Sequence, residues 1–160
     1  MGFEWATWWR GFLGTPPDRG QVAIEILCQR YIDQRQRESQ LTRHADKMHY
    51  PQYREKLLQI AADKSKHAES IGEKIIALGG ELPEVPERGS TNINSWHYLQ
   101  TDLAEEIRCA DRLPEQIWRL EPDHPDISNF LQRIAEAEKP HRQVINDMLM
   151  RSDGFALSLA

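Results

Sequence analysis

Cysteine is scarce: Cys28 and Cys109 stand far apart in 160 residues, and no C-x-x-C pair occurs. That excludes a disulfide-stapled scaffold and gives no zinc-binding spacing. Two buried thiols in a reducing compartment are the expectation, and the cytoplasm is the expected location. No apolar run approaches the roughly 18 residues a spanning helix needs, and the N-terminus lacks the basic and long apolar regions of a signal peptide. A basic excess is missing too. Twenty Lys and Arg face 25 Asp and Glu, a net charge of -5, which leaves no electrostatic basis for a nucleic-acid partner. Alternating β patterns, internal repeats and low-complexity tracts are also absent. The residues are 39% hydrophobic and 28% charged, the balance of a folded helical chain.

Aromatic residues make up only 8% of the chain, yet Phe3, Trp5, Trp8, Trp9 and Phe12 crowd its start, ahead of the breaker Gly14-Thr-Pro-Pro. Residues 1–20 therefore form a segment of their own. One reading is a short helix laid on the body of the protein or on a second subunit. The other is an interfacial anchor, for which the segment lacks the usual basic face. Packing is the better fit.

Beyond that segment the apolar spacing is helical. Ile24, Leu27, Tyr31, Gln34, Glu38, Leu41, Ala45 and Met48 recur every three or four residues from about residue 20 to 49. Tyr50-Pro51 marks a tight connection, since proline suits a first helical turn and restricts the residue before it. A second helix runs over about 52–78, on Tyr53, Leu57, Ile60, Lys64, His67, Ile71, Ile75 and Leu78, and Gly79-Gly80 stop it. Residues 81–94 hold Pro83, Pro86 and Gly89 and read as a crossover. About fourteen extended residues reach over about 40 Å, enough to return along a helix of about 27 residues. Asn94 or Ser95 can cap a third helix, on Trp96, Leu99, Leu103, Glu106, Ala110, Leu113, Ile117 and Leu120, which Pro114 interrupts. After a short link, Ile127, Phe130, Ile134, Glu138, His141, Ile145 and Met148 define a fourth, which stays in phase through Pro140. Residues 152–160 read as a tail. The expected fold is all-α: an antiparallel four-helix bundle over 21–151, with a long crossover between helices two and three.

Polar groups interrupt every one of these stripes, although unpaired charge in a core is costly. Tyr31, Gln34 and Glu38 lie on the first, Lys64 and His67 on the second, Glu106 on the third, and Glu138 with His141 on the fourth. Each has a dull explanation alone, but recurrence on four helices points to one shared site. Carboxylates with imidazoles suit iron or manganese. Without a cation they would repel one another and raise each other's pKa.

The stretch Ala45–Glu69 followed by Leu78-Gly-Gly resembles the second helix of rubrerythrin and bacterioferritin-like proteins. Leu103–Ala110 resembles their third helix, and Ile134–Leu149 their fourth. The resemblance implies the ferritin-like fold and a di-iron carboxylate centre. In that family two helices each give one Glu and two give Glu-x-x-His, and the metals oxidise ferrous iron or reduce peroxide or dioxygen. It implies Glu106, Glu138, His141 and His67 as iron or manganese ligands. Lys64 stands where the family has a bridging glutamate, and Asp63 precedes it on another face angle. Counting back from His67 puts Tyr31 at the first helix's glutamate position, while Glu38 falls two turns on. Asp63 and Glu38 are therefore the carboxylates an altered site could recruit. A standard dinuclear site, a mononuclear or altered one, and a metal-free core with Lys64 as counter-ion all remain open. The resemblance also implies a homo-oligomer, a dimer above all. Without a C-x-x-C iron domain, any redox chemistry needs an external electron donor.

Overall fold

The computed structural model describes residues 19–89 and 94–152, and the statements below concern these. The aromatic segment's residues 1–18 and the tail's residues 153–160 lie outside them. Five helices account for most of the described chain: α1 (Arg19–Ala45), α2 (Pro51–Ala77), α3 (Ser95–Asp111), α4 (Leu113–Leu120) and α5 (Pro125–Arg151). No strand occurs among the described residues. The fold is the expected antiparallel four-helix bundle, with α3 and α4 together forming its third arm.

Local chemistry sets the boundaries. Tyr50 is extended at φ -95° and ψ 121°, and Pro51 opens α2. Gly79 ends α2 at φ +81°, a left-handed conformation only glycine adopts without strain. Its N–H donates to Ile76 O and that of Gly80 to Ile75 O, both at 2.9 Å, which closes a Schellman motif. The Asn94 side chain accepts from His97 N at 3.0 Å and caps α3. The expected interruption at Pro114 is a break at Arg112, directly after which α4 begins at Leu113 with Pro114 in its first turn, whereas α5 runs unbroken through Pro140.

The crossover runs back beside α1. Cys28 Sγ approaches Glu81 O at 3.9 Å, Gln36 Nε2 donates to Pro86 O at 2.9 Å, and an Arg43 guanidinium N–H donates to Arg88 O at 2.7 Å. These contacts advance together along about 22 Å of helix at 1.5 Å per residue. Helix α1 packs most extensively on α2, and α3 and α4 pack on α5.

Two apolar clusters fill the bundle. One joins Leu41, Tyr53, Leu57, Ile60, Leu99, Ile145 and Met148; the other joins Ile26, Leu27, Ile71, Ile75, Leu120, Ile127 and Leu131. Lys64, Glu106, Glu138 and His141 belong to neither and occupy sequence positions between the two on their helices. Burial of an ammonium and two carboxylates there demands compensation. Of the thiols, Cys109 is buried and Cys28 only partly so, and both are free.

Candidate functional site

Residues three or four apart share a helix face, so Lys64 and His67 on α2, Asp102 and Glu106 on α3, and Glu138 and His141 on α5 each project as a pair. Lys64 is 1% exposed and Glu106 2%. The Lys64 ammonium donates to Glu106 Oε2 at 2.9 Å and to Glu138 Oε1 at 2.8 Å. Glu138 Oε1 also receives Gln34 Nε2 at 2.9 Å and lies 3.2 Å from His67 Nδ1. Arg37, 2% exposed, fills the other side: its Nε and Nη2 each donate to Glu106 Oε1 at 3.1 Å. Both carboxylate oxygens of Glu106 are thus held by cations of this chain.

Arg37 extends the network. Its Nη1 donates to Asp102 Oδ1 at 3.1 Å, Gln40 Nε2 donates to the same oxygen at 3.2 Å, and His44 Nδ1 lies 2.9 Å from Oδ2. A continuous polar chain therefore runs Glu138–Lys64–Glu106–Arg37–Asp102–His44 through the bundle. Two permanent cations, Lys64 and Arg37, face three carboxylates, a balance close to neutral before any imidazole is counted.

Electrostatics follow from these contacts. Burial alone would raise the Glu138 carboxyl. The hydrogen bond from His67 and the charge and hydrogen bond of Lys64 overcome that and hold it well below the usual carboxylate range. His141 is shifted down, first by burial and then by the Lys64 charge, against the opposing hydrogen bond to Asp63. Burial raises the Cys109 thiol, which keeps it protonated and unreactive. Arg37 stays charged: burial disfavours its cation, but Asp102 and Glu106 more than restore it.

Of the residues singled out in the sequence, the structure brings Lys64, Glu106, Glu138 and His67 into direct contact. His141 sits beside them, its Nε2 3.2 Å from Asp63 Oδ2. Glu38 takes no part and pairs with Arg35 at 2.8 Å, about one-third exposed. Tyr31 packs against Gly72 and Leu82, and Gln34 is the α1 residue that reaches Glu138. The gap-free count along the first helix therefore lands on Tyr31, about one turn from the stripe residue that reaches the cluster. Arg37, Asp102, Gln40 and His44 were not singled out. Their signal was present: Arg30, Asp33, Arg37, Gln40 and His44 follow at three- and four-residue steps, in line with the buried Ala23 and Ile26. Charged residues at that spacing read as a solvated face.

A divalent metal needs several free donors. Both oxygens of Glu106 are already engaged by Lys64 and Arg37, and three nitrogens converge on Glu138 Oε1. His141 Nδ1 is buried without a partner, and with Glu138 Oε2 it makes two available atoms on one helix. Among the described residues no group of three or more His, Cys, Asp or Glu is arranged to hold a metal ion. The side chains as packed do not fit a dinuclear centre.

This architecture defines a ferritin-like four-helix bundle, and comparison with solved structures gives the same class. The bacterioferritin of Desulfovibrio desulfuricans, described with a diiron site in different catalytic states, superposes with a TM-score of 0.76 at 21% identity, over 84% of each chain. A ferritin-like diiron-carboxylate protein from Bacillus anthracis gives 0.71 at 18% identity, over 84% of this chain and 99% of that one. The Rhodobacter capsulatus bacterioferritin, described with a metal-free dinuclear site and haem iron, gives 0.67 at 20% identity, over 80% and 83%. No family model matches the sequence, and neither does any curated protein.

Proposed function

We propose that this chain is a ferritin-like bundle whose polar core is neutralised by its own cations, and that it serves as a binding or structural module without a dinuclear redox centre. The observation that carries this is the Lys64 ammonium, buried and within 2.9 Å of both Glu106 and Glu138. It uses the carboxylate charge that a metal would use. A divalent ion beside it, at about 4 Å and an effective dielectric near 20, would meet a repulsion of about 8 kcal/mol. Arg37 adds a second cation on Glu106.

Metal analysis of protein purified from iron- or manganese-supplemented culture tests this. The expected content is far below one transition metal per chain. Two per chain would overturn the reading and restore oxidase, peroxidase or ferroxidase chemistry at Glu106, Glu138, His141 and His67, with an external electron donor.

One observation favours a second reading. His141 Nδ1 is buried and unpartnered beside Glu138, a pair of the right type for a single iron or manganese ion. For that ion to bind, Lys64 would have to turn away, while Asp63 on Nε2 would hold the ring with Nδ1 free to ligate. One metal per chain, lost in His141→Gln, would support it against the first.

Assembly as a homo-oligomer, a dimer first, belongs to the same proposal. No helix among the described residues is long and apolar enough to cross a membrane.

A further inference from the structure

We infer that a cleft of about 340 Å³ at the C-terminal end of α1, at the far end of the polar chain from Lys64, binds a phosphate group. His44 and Tyr98 form its base, and Arg43, Lys47, Arg88 and Glu87 line it. His44 is 1% exposed and its ring lies 4.5 Å from that of Tyr98, centroid to centroid. Its Nδ1 faces Asp102 Oδ2 at 2.9 Å. Asp102 already accepts from Arg37 and Gln40, so it remains an acceptor and Nδ1 carries the hydrogen. The opposite nitrogen, Nε2, is buried and has no partner. A buried, unpaired imidazole nitrogen on a residue that borders a cleft lined by basic side chains is what a ligand would complete.

The charge around it selects an anion. Arg43, Lys47 and Arg88 line the cleft with Glu87 the one lining carboxylate, and although Glu105 pairs with Arg88 from outside it, the lining itself carries an excess of positive charge in a chain of net charge -5. Two of the guanidinium groups are held in place: Arg43 by Ser39 Oγ at 2.9 Å and by Arg88 O at 2.7 Å, and Arg88 by Glu105 at 3.0 Å. Nε2 then distinguishes among anions. In a neutral ring it accepts, and sulfate or a carboxylate has no hydrogen to offer near neutral pH. A phosphate with its second proton still on, as it is near pH 6–7, supplies one.

Titration with inorganic phosphate, sulfate and glycerol 3-phosphate, followed by calorimetry and by the His44 ring resonances, tests this. The expected result is saturable phosphate binding that shifts the His44 ring signals, with sulfate at least ten-fold weaker. Lys47→Ala, at an exposed position that leaves the buried network untouched, should weaken binding about ten-fold with unchanged thermal stability. Glycerol 3-phosphate binding more tightly than inorganic phosphate would identify a phosphorylated small molecule as the ligand; the reverse order would identify free phosphate. Equal affinity for sulfate, no saturation at millimolar phosphate, or binding indifferent to Lys47→Ala would overturn the inference.

Discussion

Lys64 is buried and donates to two carboxylates: Glu138, whose other partners are Gln34 and His67, and Glu106, which Arg37 also holds. Removing one member of a buried ion pair leaves an uncompensated charge and costs about 3–5 kcal/mol. Lys64→Ala is therefore expected to lower the unfolding free energy of chelator-treated protein by that amount, read by urea denaturation; a neutral result would remove the counter-ion role. Acid titration probes the same contacts. The folded Glu138 carboxyl is held below its ordinary range, so the unfolded chain binds more protons as the pH falls. Its contribution is complete above about pH 4.3, the unfolded value, and is lost as the pH drops through the folded one. His141 is also shifted down, so its neutral form is favoured by folding and its contribution is complete above about pH 6.5 and lost on acidification below that. Thermal stability should be level from pH 7 to 8 and fall in two stages below it, and Glu138→Gln should abolish the lower stage. Lys64, His67, Glu106, Glu138 and His141 were legible because each interrupts an otherwise apolar stripe. Arg37 was not, because a charged residue flanked by charged residues has the signature of a solvent face, and only the opposing Asp102 and Glu106 reveal it as interior.

At the scale of elements, proline, glycine and capping residues placed most boundaries within a few positions, since each acts through its own backbone. The width of the buried face of α1 escaped the same reasoning. Leu27, Gln34, Leu41 and Ala45 of the expected stripe are buried, but the inner face extends to Arg30, Asp33, Arg37, Gln40 and His44, which hydrophobic periodicity leaves outside, and Tyr31 and Glu38 are only half-buried. Identity at such positions depends on partners from α3 and α5, which no local pattern contains. The α2 terminus offers a sharper test. A Cβ on Gly80 would lie 2.9 Å from Ile75 Cγ2 and 3.0 Å from Ile24 Cγ2, where α1 and α2 meet. Gly80→Ala should destabilise the fold by about 1–3 kcal/mol through that overpacking, measured by thermal melting. Gly89→Ala, with open space around it, should serve as the neutral control.

For the whole molecule, the crossover length, the helical pairing and the bundle class all followed from chain geometry, because few topologies satisfy short hairpins and one long return. Assembly does not follow in that way. Trp118, 74% exposed, and Met150, 79% exposed, are apolar surface that a second copy could cover. The expectation that Phe3, Trp5, Trp8, Trp9 and Phe12 pack on the bundle or on a partner concerns residues outside those described. Deleting residues 1–14 is expected to shift the sedimentation coefficient toward a smaller species or to lower the melting temperature. An unchanged profile in both would separate that segment from assembly.

The central claim is that Lys64 stands in for bound metal charge, and calorimetric titration of ferrous or manganous ion into the metal-stripped protein and its Lys64→Glu variant tests it most directly. The wild-type chain should take up no metal at stoichiometric levels, while Lys64→Glu should bind it saturably and gain thermal stability on doing so. Uptake of two ions per wild-type chain, with an affinity that Lys64→Glu does not improve, would contradict the account.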